Sequence, residues 1–228
     1  MVSKQVRTRR GISIWAVVGL LLLVAAVTTI ALGFGRTQSP PQPEARSDSP
    51  TETTSQTSPP ANAEPTATAS STTGMDASTP TRLSIPAIDV DTRIMELGLT
   101  KNDELEVPPL GKNAPAGWYR RSPTPGEVGP SLIVGHVDSA ADGPAVFFDL
   151  GGLQHGDTLV VTREDGSTAK FSIDDVTDYG KDAFPDFKVY GNTSEPEIRL
   201  ITCGGDFNEQ TGHYEDNIVV TGHLVRHS

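Results

Sequence analysis

The sequence predicts an all-β domain, a closed or nearly closed barrel over residues 81–228, carried behind one apolar segment and a long polar linker. Three observations predict it. Short apolar or alternating runs rich in Val, Ile, Thr and Phe recur from Thr81 onward. Turn-forming clusters of Pro, Gly, Asp and Ser separate them. No segment of this region carries a long period of 3.6.

The chain opens with a basic segment, residues 1–10, holding Lys4, Arg7, Arg9 and Arg10. The stretch 11–35 follows with no charged residue and is rich in Leu, Val, Ala and Ile. About 20 apolar residues cross a bilayer as a helix. The basic residues before it keep the N-terminus in the cytoplasm, which makes this a single-pass anchor with the rest of the chain extracellular. A cleaved signal peptide is the alternative, but its apolar core is usually only about 7–15 residues. Residues 36–80 are dominated by Ser, Thr, Pro, Ala and Gln. Such a segment buries too little to offset its ordering entropy and reads as a disordered linker.

Strands are expected at Arg82–Ile88, Thr92–Leu97, Ser131–Val134, Thr158–Thr162, Ala169–Val176, Ile198–Thr202 and Ile218–Val225. Asp165-Gly166 between two alternating runs is a hairpin signal. One short helical turn fits near Ala145–Leu150.

Charge narrows the partners. The chain has 18 basic and 29 acidic residues; five basic and no acidic ones fall in residues 1–36, leaving 13 against 29 beyond. That surface does not suit nucleic acid, whose phosphates are met by basic residues. It fits a domain held off an anionic membrane.

Cys203 is the single cysteine, so no internal disulfide can form. It closes the run Ile198-Arg199-Leu200-Ile201-Thr202 and precedes Gly204-Gly205, which are expected to turn the chain and admit a substrate backbone. A buried, inert thiol is the bland alternative. His136 likewise closes an apolar strand, Leu132-Ile133-Val134-Gly135. A thiol nucleophile needs an imidazole to stabilise its thiolate and protonate a leaving amine, and folding alone can unite two residues so distant in sequence. His213 is the rival base; His155, His223 and His227 read as turn or surface residues. Asp138 either orients His136 or caps a turn. Trp118 and Tyr119 pack the core or line a groove. The acidic pairs Asp103-Glu104 and Asp174-Asp175 lack the spacing of a calcium loop. No phosphate loop or zinc-ligand spacing is present, and no cofactor is expected.

The stretches Trp118-Tyr119, Ser122-Pro123-Thr124-Pro125-Gly126-Glu127 and Leu132-Ile133-Val134-Gly135-His136-Val137-Asp138 resemble the histidine region of actinobacterial sortases of the class F type. Leu200-Ile201-Thr202-Cys203-Gly204-Gly205, with Thr211-Gly212-His213-Tyr214 and Asp216-Asn217-Ile218-Val219-Val220, resembles their cysteine region, and Leu83-Ser84-Ile85-Pro86-Ala87-Ile88 their first strand. The resemblance implies an eight-stranded sortase barrel. It implies a membrane-bound transpeptidase for surface proteins with a C-terminal sorting signal of the Leu-Pro-x-Thr-Gly kind. Cys203 would form the thioester, and His136 would shuttle the proton. The acceptor would be an amine of a peptidoglycan precursor. One position departs: the arginine expected just before the Asp-Asn-hydrophobic run is Glu215. Arg199 shares the strand parity of Cys203 but sits about 13 Å away by strand rise. A non-catalytic surface module on the same barrel is therefore the alternative. An unrelated cysteine transpeptidase class is weaker still, since its compact Ser-His-Gly-Cys motif is absent.

Overall fold

Alternation in the sequence becomes alternation in burial. Strands β7 (Thr158–Arg163) and β8 (Thr168–Gly180) bury every second residue over the stretch where they pair across the Asp165-Gly166 turn. The computed structural model describes residues 39–44 and 74–225. The basic segment 1–10, the proposed anchor 11–35, linker residues 45–73, Arg226 and His227 lie outside them. Among the described residues no helix is long and apolar enough to cross a membrane.

Among the described residues, ten strands follow in chain order. The first are β1 (Pro80–Ile85), β2 (Val90–Leu97), β3 (Ala116–Tyr119) and β4 (Gly129–Val134). The two-residue strands β5 (Asp138–Ser139) and β6 (Gly143–Pro144) come next, then β7 and β8. The last two are β9 (Pro196–Asn208) and β10 (His213–Val225). Eight of them close a barrel in the order β1-β2-β3-β4-β9-β10-β8-β7, with β7 back against β1; β5 and β6 form a separate pair. The expected barrel is thus present, with eight staves. Parallel pairing occurs at β2–β3 and β4–β9.

Apolar side chains fill two cores. Leu83, Ile85, Ile133, Phe171, Leu200 and Ile218 belong to the barrel interior. A second cluster of Leu97, Leu132, Val134, Val189, Ile201 and Val219 lies on the opposite face of the same strands. Hence β4 is buried throughout and reads as a continuous apolar run, as strands covered on both faces do. The outer cover includes α1, the five-residue helix Asp186–Tyr190, whose Val189 is buried.

Four expectations are corrected. Arg82–Ile88 is not one strand: Pro86 lacks an N–H for the ladder, and Pro86–Ile88 forms a 3-10 turn instead. Strand β3 and helix α1 were not anticipated. The helical turn near Ala145–Leu150 is a 3-10 turn at Leu150–Gly152. Gly204-Gly205 do not turn the chain. Strand β9 runs on to Asn208 and pairs with β10 along the whole hairpin, broken only by a register shift between Tyr214 and Asp216. Gly205 absorbs that shift at φ +73°, where a side chain would also meet the Asp216 carboxylate.

Candidate active site

Strands β4 and β9 run parallel, with Gly129 opposite Pro196 and each later residue in step to Val134 opposite Ile201. Gly135 N–H extends the ladder, donating to the Ile201 carbonyl at 3.1 Å. His136 and Cys203 each stand two residues past the last pair. Their separation in sequence, 67 residues, equals the offset of that register. Two residues preserve the face on a strand. Leu132 and Val134 precede His136, and Ile201 precedes Cys203, all in the outer cluster. Leu200 belongs to the interior cluster, and Ile218, opposite Thr202, does too. Cys203 pairs with Asn217 and is half-buried. The sulfur is therefore on the outer face, not sealed in the barrel.

The backbone of His136 is braced. Phe147 N–H donates to its carbonyl at 3.0 Å and Ala145 N–H to that of Val137 at 2.9 Å. This close approach needs glycine at 135, where a Cβ would lie 2.6 Å from the Phe147 ring. The ring nitrogen Nε2 of His136 is 2.7 Å from the Pro108 carbonyl. That contact makes Nε2 the protonated nitrogen, since a carbonyl can only accept.

Asp138 does not pair with His136: its Oδ2 accepts from the Tyr214 hydroxyl. Burial, then that hydrogen bond, then the charges of Asp138 and Cys203 push the Tyr214 phenol well above its ordinary range. The Tyr214 ring also meets Phe207 edge-on, 5.2 Å between centroids.

Lys181 is a site residue that strand and motif patterns do not single out. It follows Gly180 at the end of β8, its Nζ donating to the Tyr214 carbonyl at 2.6 Å and lying 3.5 Å from Cys203 Sγ. One signal was available: Lys181 is the only basic residue between Asp174 and Asp186, a stretch with five aspartates. Asp216 nearby has its carboxyl held above the usual range, first by burial and then by Asp178, Glu215 and Asp206; Lys181 opposes the shift.

The linker also contributes. Gln42 Oε1 accepts from Gly205 N–H at 3.0 Å, and the Pro41 carbonyl fills the space a Cβ on Gly151 would need. Arg199 is occupied elsewhere. It is buried, and its guanidinium donates to the carbonyls of Lys188 and Val189 and to Glu197, pinning α1 to the outer face. Glu215 accepts from Asn208 Nδ2 at 3.1 Å. His213 opens β10 opposite Asn208, four residues from Asn217, or about 13 Å of strand from the residue facing the thiol. His223 binds Asp174 at 2.6 Å, and His155 faces the Asp174 carbonyl at 3.1 Å. Trp118 is buried in the interior core, while Tyr119 packs against the outer cluster.

A Sortase domain model matches residues 83–225. The fold is similar to that of a lid mutant of sortase A from Corynebacterium diphtheriae, at 21% identity and TM-score 0.50, over 68% of this chain and 74% of that one. The sortase D5 transpeptidase of Clostridium perfringens aligns at 22% identity and TM-score 0.48, over 65% and 79% of the two chains. Sortase C-1 from Actinomyces oris aligns at 22% identity and TM-score 0.47, over 64% and 73%. No curated protein matches the chain.

Proposed function

The chain belongs to the sortase family, and from that premise we propose that it is a class F-like, membrane-anchored transpeptidase with Cys203 as nucleophile and His136 as proton carrier. The observation that carries this reading is the in-step β4–β9 register, which continued by two residues brings His136, just past β4, level with Cys203 inside β9. Residues 11–35 anchor it, and the domain works outside the membrane. The substrate is a surface protein with a Leu-Pro-x-Thr-Gly-like sorting signal.

The thiolate adds to the Thr carbonyl carbon, and the carbonyl oxygen takes the negative charge. The C–N bond to Gly then breaks, His136 gives its proton to the departing amine, and a thioester remains on Cys203. An incoming amine, from a cell-wall precursor, loses a proton to His136 as it displaces sulfur. Two contacts yield to an extended substrate: the Pro108 carbonyl on His136 and Gln42 on the Gly205 N–H. The freed Gly205 N–H is then a backbone donor two residues along the strand from Cys203.

Glu215 favours a second reading, a surface-binding module without turnover, because it replaces the expected arginine with an acid. A peptide-cleavage assay on the anchored chain in detergent separates the two. Wild type should release Gly from a Leu-Pro-x-Thr-Gly peptide, an added amine should divert the acyl product, and Cys203→Ala should abolish both. Equal cleavage by the Cys203→Ala variant would remove the transpeptidase reading. Absence of cleavage by wild type, with the thiol inert to a vinyl sulfone, would favour the binding module.

A further inference from the structure

Attack by a thiol on an amide requires positive charge or donors facing two places in turn: the sulfur before attack and the carbonyl oxygen after it. The two arginine positions that the sequence offers do not supply this. Position 215 is a glutamate bonded to Asn208, and Arg199 is held beneath α1.

Lys181 reaches the sulfur from another stave. Gly180 at the end of β8 lies opposite Asp216 of β10, and Asp216 lies opposite Gly204 of β9. Two lateral steps across the sheet thus carry residue 181 to the neighbourhood of residue 203. The Tyr214 carbonyl holds the ammonium at 2.6 Å, with Sγ at 3.5 Å.

We infer that Lys181 is the catalytic cation of this enzyme, pairing its ammonium first with the Cys203 thiolate and then with the carbonyl oxyanion. The assignment rests on the sortase reading. Lys181 keeps its three protons throughout. As sulfur adds to the carbonyl carbon, negative charge moves to the oxygen bonded to that same carbon. A compact ammonium on a flexible stem follows it, one N–H staying on Tyr214. When the oxyanion collapses, the C–N bond breaks and His136 protonates the amine.

Asp178 and Asp182 from β8 and the turn after it, Asp206 from β9, and Glu215 and Asp216 from β10 are acidic. The Tyr214 hydroxyl donates to Asp138, and His136 stands two residues past the end of β4. In this setting the ammonium is the cation in contact with the sulfur, at 3.5 Å.

Three forms of the full anchored chain test this: wild type, Lys181→Met and Lys181→Arg. The first readout is the rate of Cys203 alkylation by iodoacetamide against pH, which needs no substrate. In Lys181→Met the profile should move to higher pH, with alkylation at neutral pH slower by about tenfold, the thiolate lost when an adjacent opposite charge is removed. Lys181→Arg, which keeps the charge, should retain the wild-type profile. The second readout is peptide cleavage. The Met variant should lose about 10²-fold in kcat with little change in KM, the scale of one lost oxyanion donor, and Arg should restore most of it. A wild-type alkylation profile in Lys181→Met, or an Arg variant that behaves like Met, would overturn the assignment. If wild type alkylates as expected but cleaves no sorting peptide, the substrate reading fails while the ion pair stands.

Discussion

Tyr214 links two parts of the site through one residue. Its hydroxyl holds Asp138, two residues after His136, and its carbonyl holds Lys181 beside the sulfur. Removing the hydroxyl leaves a half-buried carboxylate without that donor, so Tyr214→Phe should lower stability by about 1 kcal/mol. The pH dependence has a definite sign. The folded phenol keeps its proton above the pH at which an unfolded tyrosine releases it. Its stabilising contribution is therefore complete below about pH 10 and declines as pH rises from there toward the folded value. Melting of wild type and Tyr214→Phe should differ by a constant amount from neutral pH to about pH 10 and converge above it. A gap unchanged into strong alkali would mean that the phenol titrates alike folded and unfolded.

At the scale of elements, the β9–β10 hairpin positions Cys203 within a strand rather than at its end, and Gly205 makes that geometry possible. An alanine there must adopt φ +73° and displace the Asp216 carboxylate. Gly205→Ala should cost about 1–3 kcal/mol and reduce cleavage, since the residue lies two positions from the sulfur. Unchanged melting and cleavage would show that the register shift tolerates a side chain. The same glycines explain what could be read in the sequence and what could not. Period-two alternation in β7 and β8 and the apolar run of β4 are visible in a linear string. A glycine pair signals either a turn or a bulge, and only the pairing of Asp216 with Gly204 decides for the bulge. Strand β3 escaped notice because it is four residues long and includes Gly117, which gives way to the Leu97 side chain. Helix α1 is too short to display a period. The glycines beside His136 and Cys203 are legible in the sequence, and the β4–β9 register sets the two residues at equal spacing beyond its last pair. Lys181 is not legible, because lateral neighbours across β8, β10 and β9 leave no mark in the spacing.

For the molecule as a whole, the boundary between linker and barrel sets how much chain the fold requires. Composition places the domain start at Thr81, after a polar stretch. Yet residues 74–79 pack on the barrel. Met75 contacts the interior core and its N–H donates to the Gly126 carbonyl at 2.7 Å. The buried Arg163 guanidinium donates to the Asp76 carbonyl, and Ser78 N–H to Thr124 Oγ1 at 3.1 Å. Composition misses this because the segment contributes one thioether and several backbone groups, not an apolar run. Cutting the chain at residue 81 deprives a buried guanidinium of an acceptor and uncovers core surface. The loss should be about 2–4 kcal/mol. For a domain of this size that is on the order of 5–15 °C in Tm. Proteins beginning at residue 74 and at residue 81 should therefore melt apart by that margin. Arg163→Met should narrow the gap by removing the donor that residue 76 serves. Coincident melting of the two lengths would show that residues 74–80 ride on the barrel without stabilising it.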